Sequence, residues 1–500
     1  MSTGLPSAAA TPAPAAAVSG SGPSPGTGTR TPAVAVAEAA GRRGAATRPL
    51  VAEAFAVALP VGRWSTDPAV VDAHRLDRSG WIPSGRPLGV AFAREVADVQ
   101  AVLRVAAARG VAVTVRGAGT GLAGGAAASA GGVVLDLSGM NQIRELSVTD
   151  AVAVVEPGVI TADLDAAARG VGLSYAPDPA SAEISTIGGN IATNAGGLRC
   201  AKYGVTRESV LGLDVVLADG EVISTGRRTV KGVAGYDLTA LFVGSEGTLG
   251  VVVGATLRLR PIPRATVTLV GYFDTVADAV DAVTALAAAG IVPAVAELLD
   301  APTVRAVDAA TGSGLAAHGD VFLLVQTDGA GAGEEADEVQ AILADRARLV
   351  HRSSDESGAE ALLAARRAAL PSLERLGRPL IEDIAVPRGR LATAVARIAE
   401  IGAATGVDLY TLAHAADGNL HPIIVVDPGE PEIPAAAWSA AEQIFALALE
   451  LGGTITGEHG IGRLKRRWLA TELGSHQHDL QQRLRAAFDP TGILNPGRGL

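Results

Sequence analysis

The sequence predicts an α+β fold. A first unit of short strands and helices is broken by glycine-rich loops, a second unit carries an antiparallel sheet, and a helical segment closes the chain. Three observations carry this reading. Between residues 86 and 263, short apolar runs alternate with stretches of helical period. Between residues 264 and 454, longer helical stretches flank strand runs, two of which meet at Asp417-Gly418, a hairpin signal. From Ala435 onward the pattern is mostly helical and ends in "FDPTGILNPGRGL".

The elements follow in order. Residues 1–48 are Ala, Pro, Ser, Thr and Gly with almost no large apolar side chains. Such a stretch cannot bury enough surface to offset its ordering entropy and is expected to be disordered. It lacks the charged start and compact apolar stretch of a signal peptide. Residues 49–85 read as a short opening helical segment. "LGVAFA" is a strand, "REVADVQAVLRVAAARG" an amphipathic helix ending at Gly110, and "VAVTVRG" a strand that runs into a glycine loop. "GVVLDLS" and "AVAVVEPG" are further strands, and "TADLDAAARGVG" is a helix. Pro261 and Pro263 mark the boundary between units. Beyond it, "VADAVDAVTALAAAG", "EEADEVQAILADRA" and "LATAVARIAEIGAATG" are helices, "DVFLLVQTDG" is a strand, and residues 408–426 form a strand pair.

Bulk properties narrow the function classes. A chain of 500 residues can build two or three domains with substantial cores. Hydrophobic residues are 48% but aromatics only 3%, so the core must be Ala, Val, Leu and Ile. A net charge of -11 disfavours a nucleic-acid partner, which would need a basic face. Cys200 is the one cysteine, which excludes an intrachain disulfide and a four-cysteine iron–sulfur cluster. A reducing, cytoplasmic setting is the simple expectation. No apolar run reaches the ~18 residues of a membrane span.

The first glycine loop is "RGAGTGLAGG", which starts at Arg116 and runs through Gly117, Ala118, Gly119, Thr120, Gly121 and Gly124. Consecutive glycines let backbone N–H groups converge and approach a phosphate closely. Its GxGxxG match suggests a Rossmann site, but the following "AAASAGG" cannot make the long helix such a site opens. The second loop, "PDPASAEISTIGGNIATNAGG" at residues 177–197, offers Pro177, Asp178, Ser181, Thr186, Gly188, Gly189, Asn190, Thr193, Asn194, Gly196 and Gly197. A structureless stretch of that length is uncommon unless it binds something. The third, "GSEGTLG", places Glu246, Gly247, Gly250 and the adjoining Val251 between apolar runs. Singly, each could be turn chemistry; three together point to a bound planar cofactor.

Two later segments carry candidate chemistry. If Asp417-Gly418 forms a two-residue turn, His414 faces His421, and two opposed imidazoles could share a metal ion. A pair of surface or hydrogen-bonding histidines is the plainer alternative. "GEHGIG" sets Glu458 and His459 between glycines, where a carboxylate and a neutral imidazole suit a third ligand and a proton acceptor. Solvated turn residues would read the same way.

The order "RGAGTGLAGG", "PDPASAEISTIGGNIATNAGG", "KYGVT", "VVLADGEVI", "GYDLTALFVGSEGTLGVV", then "HAADGNLH" and "GEHGIG", resembles the FAD-binding oxidoreductase/transferase type 4 family across residues 65–500. Its members include glycolate oxidase, D-lactate dehydrogenase and D-2-hydroxyglutarate dehydrogenase. The resemblance implies a PCMH-type FAD-binding domain at residues 86–263, with the first loop on the pyrophosphate and the other two lining the flavin. It implies a substrate or cap domain at 264–454 and a C-terminal segment at 455–500 that returns Asn495, in "LNPGRG", to the flavin domain. Thr120 stands where some relatives carry a flavin-linking histidine, so the FAD should be non-covalent.

By the same likeness His414, His421 and Glu458 bind a divalent metal, zinc or manganese, and His459 is the catalytic base. Arg366 in "LLAARRAAL" matches a carboxylate-clamping arginine. Leu363 stands where a tryptophan is common, and Ala416 where glycine is. Leu370 and Ile381 occupy positions that are polar in relatives acting on a dicarboxylic acid, which favours a short 2-hydroxy monocarboxylic acid. The electron acceptor would be a quinone, a cytochrome or an electron-transfer flavoprotein, and the family admits an iron–sulfur partner subunit. The basic run "RLKRRW" reads as a solvated helix face, with Lys465 near the site and peripheral contact at the inner membrane face left open. Pro422 is expected to hold its strand at a sheet edge. The rival readings are an ether-lipid synthase of the same family, a nicotinamide dehydrogenase, and a flavin-binding subunit without catalysis.

Overall fold

The computed structural model describes residues 48–229, 231–353, 355–430 and 432–500. The predicted tail, residues 1–48, lies outside them except for Arg48, which opens the helix Arg48–Ala58.

The first glycine loop leaves a small, mainly parallel sheet. Its order is Trp64–Ser65, Gly89–Phe92, Val133–Asp136, Val113–Arg116. Gly89–Phe92 and Val113–Arg116 both pair parallel with Val133–Asp136. A parallel arrangement needs a crossover, supplied here by the helix Val96–Arg109. Glu95 and Asp98 close a capping box at its start, and Gly110 ends it at φ 61°, a left-handed position suited to glycine. Between Arg116 and Val133 no helix forms, so the loop is not a Rossmann turn. An antiparallel sheet follows, ordered Ile143–Ser147, Val152–Val155, Val251–Arg258, Val210–Val216, Val222–Gly226.

The large sheet is antiparallel throughout. Its order is Leu349–Arg352, Thr266–Phe273, Val321–Asp328, Val295–Leu299, Leu409–His414, Asn419–Val426, with Arg378–Ile381 and Ile384–Ala385 both pairing the last. Strand period divides its two faces. In Val321–Asp328, Leu323 and Val325 pack among Val283, Leu343 and Ile398, while Phe322 and Leu324 pack among Val304, Val307 and Leu373. Helices therefore cover both faces, and the strand is buried along its whole length.

Two expectations for the hairpin are corrected. His414 pairs with Asn419 and Leu412 with His421, so the predicted His414–His421 opposition does not occur. Residues 415–418 form a four-residue loop closed by Gly418 N–H donating to the His414 carbonyl at 3.1 Å, with Gly418 at φ 86°. Ala415 N–H is drawn instead to the Ala296 carbonyl of the neighbouring strand, at 2.7 Å. The shift is by two residues, and because strand period is two, both imidazoles stay on one face. Pro422 is not on an edge strand: Thr411 pairs with it on one side. On the other side lies the break between Ile381 and Ile384, where the Pro422 carbonyl accepts from Glu382 N–H at 2.9 Å and no ladder donor is needed.

Among the described residues no helix is long and apolar enough to cross a membrane.

Candidate active site

The three glycine loops wall a single cavity of about 780 Å³. Gly117, Ala118, Gly119, Thr120 and Gly121 line it from the first loop. Ser181, Thr186, Gly188, Gly189, Asn190, Thr193 and Gly196 line it from the second, and Glu246, Gly247 and Gly250 from the third, with Asn495 from the C-terminal segment. The volume falls within the range of about 300–1,000 Å³ usual for cofactor pockets. Gly119 sits at φ 71°, and a Cβ there would overlap the Arg116 guanidinium. A Cβ on Gly121 would meet nothing within 4 Å, so the backbone there is open to a ligand. These features suit an extended, phosphate-bearing cofactor such as FAD.

Seven other predicted cofactor residues do not line the cavity but support it. Arg116 is buried and donates through Nη1 to the Leu76 carbonyl at 2.5 Å. Gly124 packs against Arg463, and Pro177 is buried. Asp178 accepts from Arg199 N–H at 3.3 Å; burial pushes its carboxyl up to about 7 against the opposing Arg199 charge. Gly197 backs onto Asp178. Asn194 caps the helix Ile187–Thr193 in a left-handed conformation, and its Oδ1 accepts from Arg207 N–H at 2.9 Å. Val251 lies in the core.

The same cavity is lined by Glu458 and His459, so its far end reaches the polar cluster of the large sheet. There His414 Nε2, His421 Nε2 and Glu458 Oε1 form a triangle with sides of 3.1, 3.3 and 3.4 Å. His414 Nδ1 lies 2.5 Å from Glu297 Oε1, so Nδ1 carries the proton and Nε2 turns a lone pair toward Glu458. Facing lone pairs need a proton or a cation between them. Without a cation, burial disfavours the His414 imidazolium, but Glu297 and Glu458 outweigh it and hold its pKa well above the ordinary value. Burial likewise opposes the Glu458 carboxylate, yet hydrogen bonds from both histidines hold it well below its usual range. A divalent ion bonded at about 2.1 Å separates its donors by about 3.0–3.4 Å, which matches the triangle. The residues present therefore fit a zinc- or manganese-sized ion, with Glu297 orienting His414 from behind.

Behind this triangle lies a second carboxylate that sequence reasoning missed. Asp383 is fully buried, and its Oδ2 accepts from Glu458 N–H at 3.0 Å, His459 N–H at 2.9 Å and Thr456 Oγ1 at 2.7 Å. Burial alone would raise its carboxyl, but neighbouring positive charge holds it ionised, well below the usual range: that of His459 only when protonated, and at neutral pH that of Lys465. Lys465 lies near the site as expected, buried and donating to the carbonyls of Asp383 at 2.7 Å and Ile455 at 2.9 Å, while Arg463, Arg466 and Arg467 of the same run are exposed. Burial pushes the His459 imidazole down to about 4 despite Asp383, so it is neutral at physiological pH. Glu246 of the third loop, at φ 53°, accepts N–H bonds from Ile461 and Gly462, both at 2.7 Å. That staple fixes the His459 segment to the flavin-side wall.

Arg366 ends the helix Glu356–Arg367 and donates through Nε to Glu297 Oε2 at 2.7 Å. It reaches the metal triangle through Glu297 and does not itself line the cavity, whereas Leu370 and Ile381 do. Glu297 was also missed. Both missed carboxylates lie inside apolar runs, "VAELL" and "LIEDIAV", and a charged residue in a buried strand is the signal that would have found them.

Residues 87–226 match the FAD binding domain family, and residues 262–498 match the FAD linked oxidases, C-terminal domain. The glycolate oxidase subunit GlcD of Bacillus subtilis is 43% identical over 417 residues, covering 82% of this chain and 88% of that protein. A D-lactate dehydrogenase of Archaeoglobus fulgidus is 37% identical over 404 residues, covering 80% and 88%. Among solved structures, p-cresol methylhydroxylase aligns at TM-score 0.75 and 18% identity, over 91% of this chain and 97% of that one. Alkyldihydroxyacetonephosphate synthase aligns at TM-score 0.69 and 17% identity, over 90% and 84%. The fold is thus the PCMH-type FAD-binding fold joined to an α+β sheet unit.

Proposed function

The chain belongs to the FAD-linked oxidase family, and from that premise we propose that it oxidises a D-2-hydroxy acid of the lactate or glycolate type to the 2-oxo acid. The observation that carries the reading is the shared cavity: Glu458 and His459 stand in the same wall as the three glycine loops. The names of the glycolate oxidase and D-lactate dehydrogenase relatives support the substrate class.

FAD in the cavity would supply the hydride acceptor, and a zinc or manganese ion on His414, His421 and Glu458 would supply a Lewis acid for the hydroxyl. Backbone N–H groups of the first loop would hold the pyrophosphate. Thr120 lines the cavity but has no imidazole to alkylate, so the flavin is held non-covalently. His459, neutral and at the cavity wall, takes the substrate hydroxyl proton at Nε2, which lies 3.9 Å from Glu458 Oε1. Arg366 is the proposed clamp of the substrate carboxylate; its Nε is held by Glu297 and it stands outside the cavity wall, so the clamp requires its remaining N–H groups to turn inward when substrate binds. Leu370 and Ile381 line the cavity with apolar side chains, neither of which can partner a second carboxylate. The proposed electron acceptor is a quinone, cytochrome or electron-transfer flavoprotein, with an iron–sulfur subunit as a candidate partner. The ether-lipid synthase reading rests on fold alone, since that likeness is 17% identical.

Anaerobic mixing of the FAD-loaded enzyme with a panel of 2-hydroxy acids tests the reading. D-Lactate or glycolate should bleach the flavin, and L-lactate and NADH should not. A flavin that dithionite reduces but no 2-hydroxy acid does would overturn it.

A further inference from the structure

Three of the buried polar atoms that lack a hydrogen-bond partner among the described residues belong to Asp383, His421 and His459: the carboxylate Oδ1 and the two Nδ1 atoms. These side chains converge, with one ligand atom from each within 4.8 Å of the others. His421 Nδ1 and Asp383 Oδ1 are 4.0 Å apart, too far for a direct hydrogen bond. Two hydrogen bonds of about 2.8 Å meeting at a water oxygen separate their outer atoms by about 4.0–4.6 Å. A buried water needs two to four polar partners, and three stand here. The rings of His421 and His459 lie side by side, with centroids 5.0 Å apart and planes 14° apart.

We propose that Asp383 is a positioning residue acting through one buried water, held by Asp383 Oδ1, His421 Nδ1 and His459 Nδ1, which sets both imidazoles as the Nδ1–H tautomer. The hydrogen bonds balance. Each Nδ1–H donates to the water oxygen, and the water donates to Asp383 Oδ1. The opposite oxygen, Oδ2, is already occupied by Thr456 and the backbone N–H groups of Glu458 and His459. One carboxylate thus shapes the turn with one oxygen and sets two tautomers with the other. Consequently His421 Nε2 presents its lone pair to the triangle with His414 and Glu458, and His459 Nε2 is left as a proton acceptor. Glu297 does the same for His414 directly. The His421 tautomer and the catalytic consequence rest on the metal-and-base reading above, since without a cation His421 Nε2 would have to carry the proton toward Glu458; the His459 tautomer does not.

Asp383→Asn tests the inference. The amide keeps an oxygen for the turn and aims an N–H at the water, which can then no longer accept from both imidazoles. Nitrogen-15 histidine spectra of the FAD- and metal-loaded enzyme, with signals assigned by single His→Gln variants among the eight histidines, read the tautomers. Wild type should show both rings protonated at Nδ1. D383N should lose that state in at least one ring, retain FAD, and reduce flavin with a 2-hydroxy acid about 10²–10⁴-fold more slowly. Unchanged tautomers in D383N, whatever its rate, refute the proposal. Should D383N fail to fold, an atomic-resolution structure of the wild-type holoenzyme decides. A water within about 3.2 Å of all three atoms upholds the proposal. A metal ion there, or no water, overturns it. Undiminished flavin reduction in His459→Gln would instead sink the base assignment and leave the tautomer result standing.

Discussion

Gly196→Ala should damage the metal site while sparing the fold. Gly196 closes the second glycine loop, and its backbone is not left-handed, so alanine meets no conformational barrier. The added Cβ would overlap Glu458 Oε2 and lie 3.2 Å from both Glu458 Cβ and Cys200 Sγ. Ordinary contact begins near 3.4 Å, so the Glu458 carboxylate must retreat by about 1 Å. Oε1 now stands 3.1 Å from His421 Nε2 and 3.4 Å from His414 Nε2. A further 1 Å takes these separations to about the 4.2 Å that two bonds of about 2.1 Å can span only in a straight line. Metal affinity should fall about 10–100-fold and flavin reduction about 100-fold. Chelator competition with elemental analysis reads the first, and anaerobic stopped-flow absorbance at saturating metal reads the second. FAD content and Tm are the controls. A variant with wild-type metal affinity and flavin reduction within twofold of wild type would refute the claim that the flavin loop and the metal ligand are in steric register.

Glu297→Gln leaves the half-buried Arg366 charge without its counterion and weakens the orientation of His414, so it should cost about 3 kcal/mol in urea unfolding and about tenfold or more in metal affinity. Burial raises the Glu382 carboxyl to about 7, so the folded state penalises its charged form. That penalty is absent below the unfolded value of about 4.3 and complete above the folded one; Glu382→Gln should therefore raise stability by up to about 3 kcal/mol at pH 8 and leave it unchanged at pH 4, as thermal melts would read. Asn495 Nδ2 donates to the carbonyls of Gly125 at 3.0 Å and Glu246 at 2.8 Å, tying the C-terminal segment to the first and third loops. Asn495→Ala should lose about 1–3 kcal/mol of FAD affinity in titrations of the apoprotein, and an unchanged Kd would show that the tie does not shape the cavity.

The readings that survive from sequence to structure are those with local causes. Glycine loops are legible because a missing Cβ acts at its own residue, and the helix Val96–Arg109 is legible from its period and from Gly110. The histidine pair kept its shared face although its register was wrong, because a shift of two residues preserves strand parity. In "RLKRRW" the solvated face and the exception of Lys465 were both legible, but its carbonyl acceptors, on Asp383 and Ile455, were not, because they belong to other segments.

By itself, then, the sequence determined which backbone segments could cradle a cofactor and which side chains could ligate or take a proton. Tertiary structure decided that these meet. Glu297 orients His414 from 117 positions away, and Asp383 holds Glu458 across 75. Glu246 clamps Gly462 across 216. Pairings at such separations depend on how the large sheet orders its strands and how the C-terminal segment packs back on the loops. They arise from burial and hydrogen-bond satisfaction summed over the whole chain, and no window of neighbouring residues carries that sum.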